Sequence, residues 1–279
     1  MLTNEIMGLL ALWILWVNTL LVAAATWKQA RELLRRRSEM RLLGAGTGEG
    51  LVRGRVAEGA VAVQRIDQVG RAVEGEDAIV FHDRKAEGEA LGGSLSAEGT
   101  SIAIAPHTKA EVWLSADELA KAAACTSASA FDEAFTSARK ARGFSRVIEA
   151  KVGPAADEVF VYGRVEDVDG ARTIGPTAVG EMLVATIDPR AVVARKAALA
   201  GAFIAAELLL AAACTAVALW PPVFGRVSTI GGALCLGYFL LVQPAGTAVR
   251  DAILTPSRTP VRGTWKRATA PSEAAAHAT

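Results

Sequence analysis

The chain has 279 residues, 52% of them hydrophobic and only 21% charged, a balance that excludes a disordered polar chain and points toward lipid. Thirty basic residues against 29 acidic ones leave a formal net charge of +1, which excludes the uniformly basic field of a nucleic-acid binder. Two of its three cysteines, Cys214 and Cys235, fall in long apolar runs, which excludes a disulfide scaffold and a zinc framework.

Residues 6–26 read IMGLLALWILWVNTLLVAAAT without an ionisable side chain, and about 20 such residues are needed to cross the hydrocarbon core. A first transmembrane helix is predicted here. The rival, a cleaved signal peptide, is disfavoured because no basic segment precedes the run and the run is too long for a signal's apolar core. Residues 27–43 are predicted to continue the helix as a basic amphipathic stalk, with Leu33, Leu34, Met40, Leu42 and Leu43 toward one side. Its cations Lys28, Arg31, Arg35, Arg36, Arg37 and Arg41 are candidate membrane-surface contacts, because a basic residue beside an anionic leaflet is worth about 1 kcal/mol. A solvated stalk that only sets orientation is the plainer alternative.

Residues 44–190 carry ordinary polar content and strand-length apolar runs at 51–56, 60–66, 78–82, 101–105, 110–114, 146–152, 159–165 and 182–187, bounded by Gly, Asp or Pro. A helical insert is predicted over 116–142. Ser115 and Glu118 form a capping box at its start, and a second helix over 131–142 carries Arg139, Lys140 and Arg142 at its end. The expectation is one α+β domain, β-rich and barrel-like. The strands at its two ends share the tripeptide Gly-Arg-Val, at Gly54 to Val56 and at Gly163 to Val165. Glycine inside a strand marks a bulge or a close backbone approach, so these two strands are candidates to pair, with chance recurrence as the alternative.

Residues 198–220 and 229–249 are predicted as the second and third transmembrane helices, joined by a tight turn at Pro221, Pro222, Gly225 and Arg226. Trp13, Trp16, Trp27 and Trp220 lie in or beside the spans, Trp27 and Trp220 at span ends where an indole N–H reaches the headgroups. Residues 250–279 are expected to form a disordered tail. Basic residues gather after the first span, before the second at Arg190, Arg195 and Lys196, and after the third from Arg250 onward. By the charge rule the N-terminus is outside and the main domain cytoplasmic.

Glu207 is the one carboxylate inside a span, and an intramembrane acid is a functional candidate by default. The plainer reading is a protonated Glu hydrogen-bonded to a neighbouring helix. Elsewhere the chemistry is sparse, and neither catalytic residues, a metal site nor a cofactor is expected. His82 and Asp83 stand in IVFHDRK without a second His or Cys at ligand spacing, beside Arg84 and Lys85 that disfavour a cation. His107 reads as a turn residue after Pro106, His277 lies in an Ala-rich tail, and Cys125 lacks an activating base. There is no phosphate loop, GxSxG elbow or HExxH helix.

The order of pieces resembles a known family. A membrane helix, a β-rich domain, GTSIAIAPHTKAEV over 99–112, Glu149 leading to EVFVYGRV, then MLVATIDPRAVVARK running into another membrane helix is similar to the GIDE-type, or beside-a-membrane, domain. The resemblance covers 51–205, its closing half most closely; the opening half lacks the family's Pro-Leu and Cys-Tyr-rich strand. That family includes mitochondrial-anchored ubiquitin ligases and prokaryotic relatives, and the resemblance implies an integral protein of a prokaryotic inner (plasma) membrane. In the ligases a RING with paired cysteines and a histidine recruits the conjugating enzyme, whereas 250–279 here hold no cysteine, so ubiquitin transfer does not carry over. The ligases' domain faces the intermembrane space; the charge rule places this one in the cytoplasm. The expected function is a membrane-anchored binding or scaffold module that meets the lipid bilayer and a membrane or membrane-proximal protein, not nucleic acid. A ligase-like protein or a hydrolase with an unrecognised site is the alternative.

Overall fold

The computed structural model describes residues 2–44, 46–72, 78–124, 129–130, 143–168, 170–219, 229–254 and 264–266. The chain divides into two compact units, one made of Met1–Arg41 with Pro189–Pro256, the other of Leu42–Asp188 with Ser257–Thr279.

The first unit is helical. Its elements are α1 (Leu2–Glu39), α3 (Pro189–Ala218) and α4 (Thr229–Leu254), and all three are long and apolar enough to cross a membrane. Each buries one narrow stripe at helical spacing: Leu12, Leu15, Thr19, Thr26 and Ala30 on α1; Val193, Ala200, Glu207, Ala211, Cys214 and Ala218 on α3; Cys235, Tyr238, Val242 and Ile253 on α4. The large side chains outside those stripes, such as Trp13, Leu21, Leu209 and Leu241, are exposed and suit a lipid surround. Small residues bring the helices together, as Ala30 and Ala200 do with Ile253. Gly246 of α4 approaches so closely that an added Cβ would lie 3.1 Å from Val22 Cγ1.

Three boundaries differ from the sequence expectation, each for a local reason. α3 begins at Pro189 rather than 198, because Asp188 and Pro189 are the residue types favoured just before and at the first helical position. α1 stops at Glu39, short of the end of the predicted stalk, because Leu42 and Leu43 are drawn into β pairing and Leu43 N–H donates to Leu51 O at 2.8 Å. The third span runs on to Leu254, and Thr264–Lys266 forms a strand, so part of the expected disordered tail has backbone structure. The turn at 220–228, with Trp220, lies outside the described residues.

The second unit is built from β1 (Gly48–Val56), β2 (Ala62–Ala72), β3 (Ala78–Ala90), β4 (Gly93–Ala97), β5 (Thr100–Ile104), β6 (Glu111–Trp113), α2 (Ala116–Ala124), β7 (Ser129–Ala130), β8 (Gly143–Val152), β9 (Val159–Val168), β10 (Ala171–Gly175), β11 (Leu183–Ala185) and β12 (Thr264–Lys266). One sheet runs β1-β4-β5-β10-β9-β11-β6, and β9 also pairs back to β1, which closes β1, β4, β5, β10 and β9 into a five-stranded barrel of the Greek-key kind. Only the β5–β10 pair in that ring is parallel. The two Gly-Arg-Val strands are the ones that close it, Leu51 opposite Tyr162 and Gly50 opposite Gly163. Both glycines are close approaches: a Cβ at Gly54 would lie 2.7 Å from Ser96 O and one at Gly163 only 2.2 Å from Gly175 O. Inward residues Val52, Leu95, Ile102, Val161, Ile174 and Val184 form the core with at most 1% exposure.

The second sheet runs β12-β3-β2-β8-β7, antiparallel throughout. It is inserted between strands of the barrel, and Gly88 of β3 permits the crossing near β6, where a Cβ would meet Ala110 O at 2.3 Å. α2 packs on β8 through Leu119 and Ala123. The predicted capping box is present: Glu118 N–H donates to Ser115 Oγ at 3.2 Å while Ser115 N–H donates to Glu118 Oε2 at 2.9 Å. Thr186 Oγ1 also donates to Glu118 Oε2, which ties the helix start to the segment after β11. The first helix of the predicted insert is α2, β7 follows it, and the predicted second helix over 131–142 lies outside the described residues.

Candidate functional site

The helical unit encloses a polar core. Thr19 on α1 uses its single hydroxyl proton on Leu15 O at 2.7 Å, so the 2.7 Å contact between Thr19 Oγ1 and Tyr238 OH of α4 has the phenol as donor. The same phenol oxygen lies 3.4 Å from the backbone carbonyl of Glu207 on α3, so three helices meet at one polar point. Gln243 Nε2 donates to Asn18 Oδ1, and Trp16 Nε1 donates to Thr215 Oγ1 at 3.0 Å. These are interhelical hydrogen bonds of the kind that holds membrane helices together, each worth about 0.6–2 kcal/mol.

Glu207 is treated differently from its neighbours. Its side chain is 3% exposed, and neither carboxyl oxygen has a hydrogen-bond partner among the described residues. The hydrogen bond expected from its carboxyl to a neighbouring helix is therefore not formed. The sequence expectation includes Glu207 but not Asn18, Thr19, Tyr238 or Gln243. The available signal was that all four are polar residues within apolar spans, two adjacent on the first and two five apart on the third.

The six basic candidates lie on or just beyond the far end of α1. Lys28, Arg31, Arg35, Arg37 and Arg41 are exposed and Arg36 is half-buried. Arg35 is engaged by acids of its own helix, with Nη1 3.4 Å from Glu39 Oε1 and a further ion pair to Glu32.

The described residues of the β unit include two open clefts. One, of about 780 Å³, lies between α2 and β8, bordered by Glu118, Lys121, Glu149 and Lys151, with Val147 half exposed on its floor. The other, of about 460 Å³, opens on the barrel beside Arg53, Arg55, Arg172, Glu98 and Glu158. Arg172 Nη2 donates to Gly44 O at 3.1 Å and Gly46 O at 2.8 Å, which fixes one rim. Arg53 is hydrogen-bonded to Glu158, and that bond holds the Glu158 carboxyl below the ordinary carboxylate range. A depressed folded-state value stabilises above the unfolded-state pKa and is lost as pH falls through the folded one. Replacing Glu158 with Gln is therefore expected to lower the domain's melting temperature slightly at neutral pH. The difference from wild type should vanish in acid and shrink in high salt, because the pair is exposed; a difference that persists in acid would assign it to packing instead.

His82 and Asp83 lie on β3, opposite Val69 and Gln68 of β2. His107 exchanges both backbone hydrogen bonds with Ala90 at 2.9 Å, a β-bridge directly before a turn at residues 108–109. Cys125 and His277 lie outside the described residues. Among the described residues no three His, Cys, Asp or Glu side chains are grouped to hold a metal ion. Comparison with protein-family models, curated proteins and solved structures finds no match for this chain.

Proposed function

We propose that the protein is a membrane-anchored binding or scaffold module that holds its β-rich domain beside the bilayer for a membrane or membrane-proximal protein partner. The observation that supports this is connectivity: residues 40–47 alone join α1 to β1, and residues 186–188 alone join β11 to α3. A domain linked so briefly at both ends to membrane-length helices meets membrane partners at high effective concentration. The cleft between α2 and β8, with charges of both signs around an apolar floor, suits a protein segment. The exposed cations from Lys28 to Arg41 suit anionic headgroups, and their distribution supports a cytoplasmic domain in an inner (plasma) membrane. Kinship with the beside-a-membrane family belongs to the same proposal, supported by the order of helix, β-domain and helix pair.

The test uses the full chain in its native membrane. On intact cells an impermeant maleimide should label Cys placed at Thr3 or Ser228 and spare Cys placed at Ser96. A photo-crosslinker at Val147 should capture a membrane or membrane-proximal protein, and the paired reversal Glu149→Lys with Lys151→Glu should abolish the adduct. Labelling at Ser96 from outside would reverse the orientation, and an adduct indifferent to the charge reversal would sink the cleft as the binding surface.

A further inference from the structure

We propose that Glu207 is a proton-binding site at the centre of the helical unit, neutral at physiological pH and exchanging its proton with water. The first ground is electrostatic. An ionised carboxylate removed from water and left unpaired is strongly unfavourable, and such groups are neutralised or given a partner. Glu207 is enclosed by protein rather than turned toward lipid, since it lies on the inner stripe of α3 with 3% exposure. Among the described residues, the elements packed against it supply no counter-charge within the bundle. The membrane stretch of α1, from Ile6 to Thr26, holds no charged residue. On α4 the titratable groups on the inner stripe are Tyr238 and Cys235, and on α3 itself Cys214. The nearest cation on α3 is Lys196, three turns away, and its ammonium is placed on Ile253 O at 3.4 Å.

The second ground is that the structural role open to a buried polar residue does not account for this one. Asn18 with Gln243, Thr19 with Tyr238, and Trp16 with Thr215 each bond across helices, whereas both carboxyl oxygens of Glu207 are left over. A residue kept only to fasten helices would take part in such a bond. The neighbouring hydroxyl does not serve the carboxyl either: Tyr238 OH lies 2.7 Å from Thr19 Oγ1 and 3.4 Å from the backbone carbonyl of Glu207, while both carboxyl oxygens have no partner among the described residues. Uptake balances simply: a hydronium ion gives its proton to a carboxylate oxygen and leaves as water.

The probe is dicyclohexylcarbodiimide, a lipid-soluble reagent that adds to protonated carboxyls; the acid proton passes to a carbodiimide nitrogen as the oxygen bonds the central carbon, and the adduct rearranges to a stable acylurea. The full-length protein in detergent or liposomes is treated at neutral pH and the adduct located by peptide mass spectrometry. Glu207 is expected to be modified at least tenfold faster than Glu149 or Glu166, which are exposed and ion-paired with Arg65 and Arg164, and raising the pH should slow the reaction. Glu207→Gln should remove the adduct, with a circular dichroism melt showing that the variant is folded. Failure to label Glu207 in folded protein, or labelling indifferent to pH, overturns the proposal. Protection by sodium ions at constant pH and ionic strength also overturns it, by assigning the carboxylate to a metal cation.

Discussion

Replacing Gly163 with Ala should cost the β-domain about 3 kcal/mol or more, roughly 10 °C in melting temperature for a domain of this size. The added Cβ would lie 2.2 Å from Gly175 O and 3.2 Å from Ile174 Cγ1, and the first of these is a backbone atom that cannot swing aside. Gly163 sits on β9, which pairs with β1 on one edge and with β10 and β11 on the other. Relief of the clash therefore has to open the ring of strands rather than a single turn. Gly175→Ala is the matched control: its nearest neighbour would be Ala105 Cβ at an ordinary 3.6 Å. That substitution is expected to stay within about 0.5 kcal/mol of wild type. Thermal denaturation of the full chain, followed through the β signal in circular dichroism, distinguishes the two. Equal melting temperatures for the pair would mean that the barrel is not closed at this point.

Leu95→Ala should cost about 3 kcal/mol, and Ile102→Val about 1 kcal/mol. Both side chains are 0% exposed in the barrel core, and they are directly opposed in the β4–β5 pair. Truncating Leu95 removes apolar burial and leaves a cavity that a closed barrel cannot collapse to fill, which places the cost well above the transfer term alone. Because the two residues share that space, Leu95→Ala combined with Ile102→Val should depart from the sum of the single changes by at least 0.5 kcal/mol. Denaturant titration of the four proteins closes the cycle. Additivity would show that the two side chains do not line one cavity.

The parts of this fold governed by local chemistry were legible in the chain. Three apolar runs form three long helices, the Ser115–Glu118 box is present, and the two strands that end in Gly-Arg-Val are partners, with Gly54 closely approached by Ser96 O of β4 and Gly163 by Gly175 O of β10. The strands missed are those whose sequences carry weak patterns. β4 (GSLSA) and β10 (ARTIG) are small or polar, and they are strands because both edges of the barrel need partners. The polar core shows the same division. Glu207 announces itself as an acid in an apolar run, whereas Asn18, Thr19, Tyr238 and Gln243 join it only through helix depth and rotation. Those are decided by which small residues let three helices approach, a property of the packed bundle and not of any one segment.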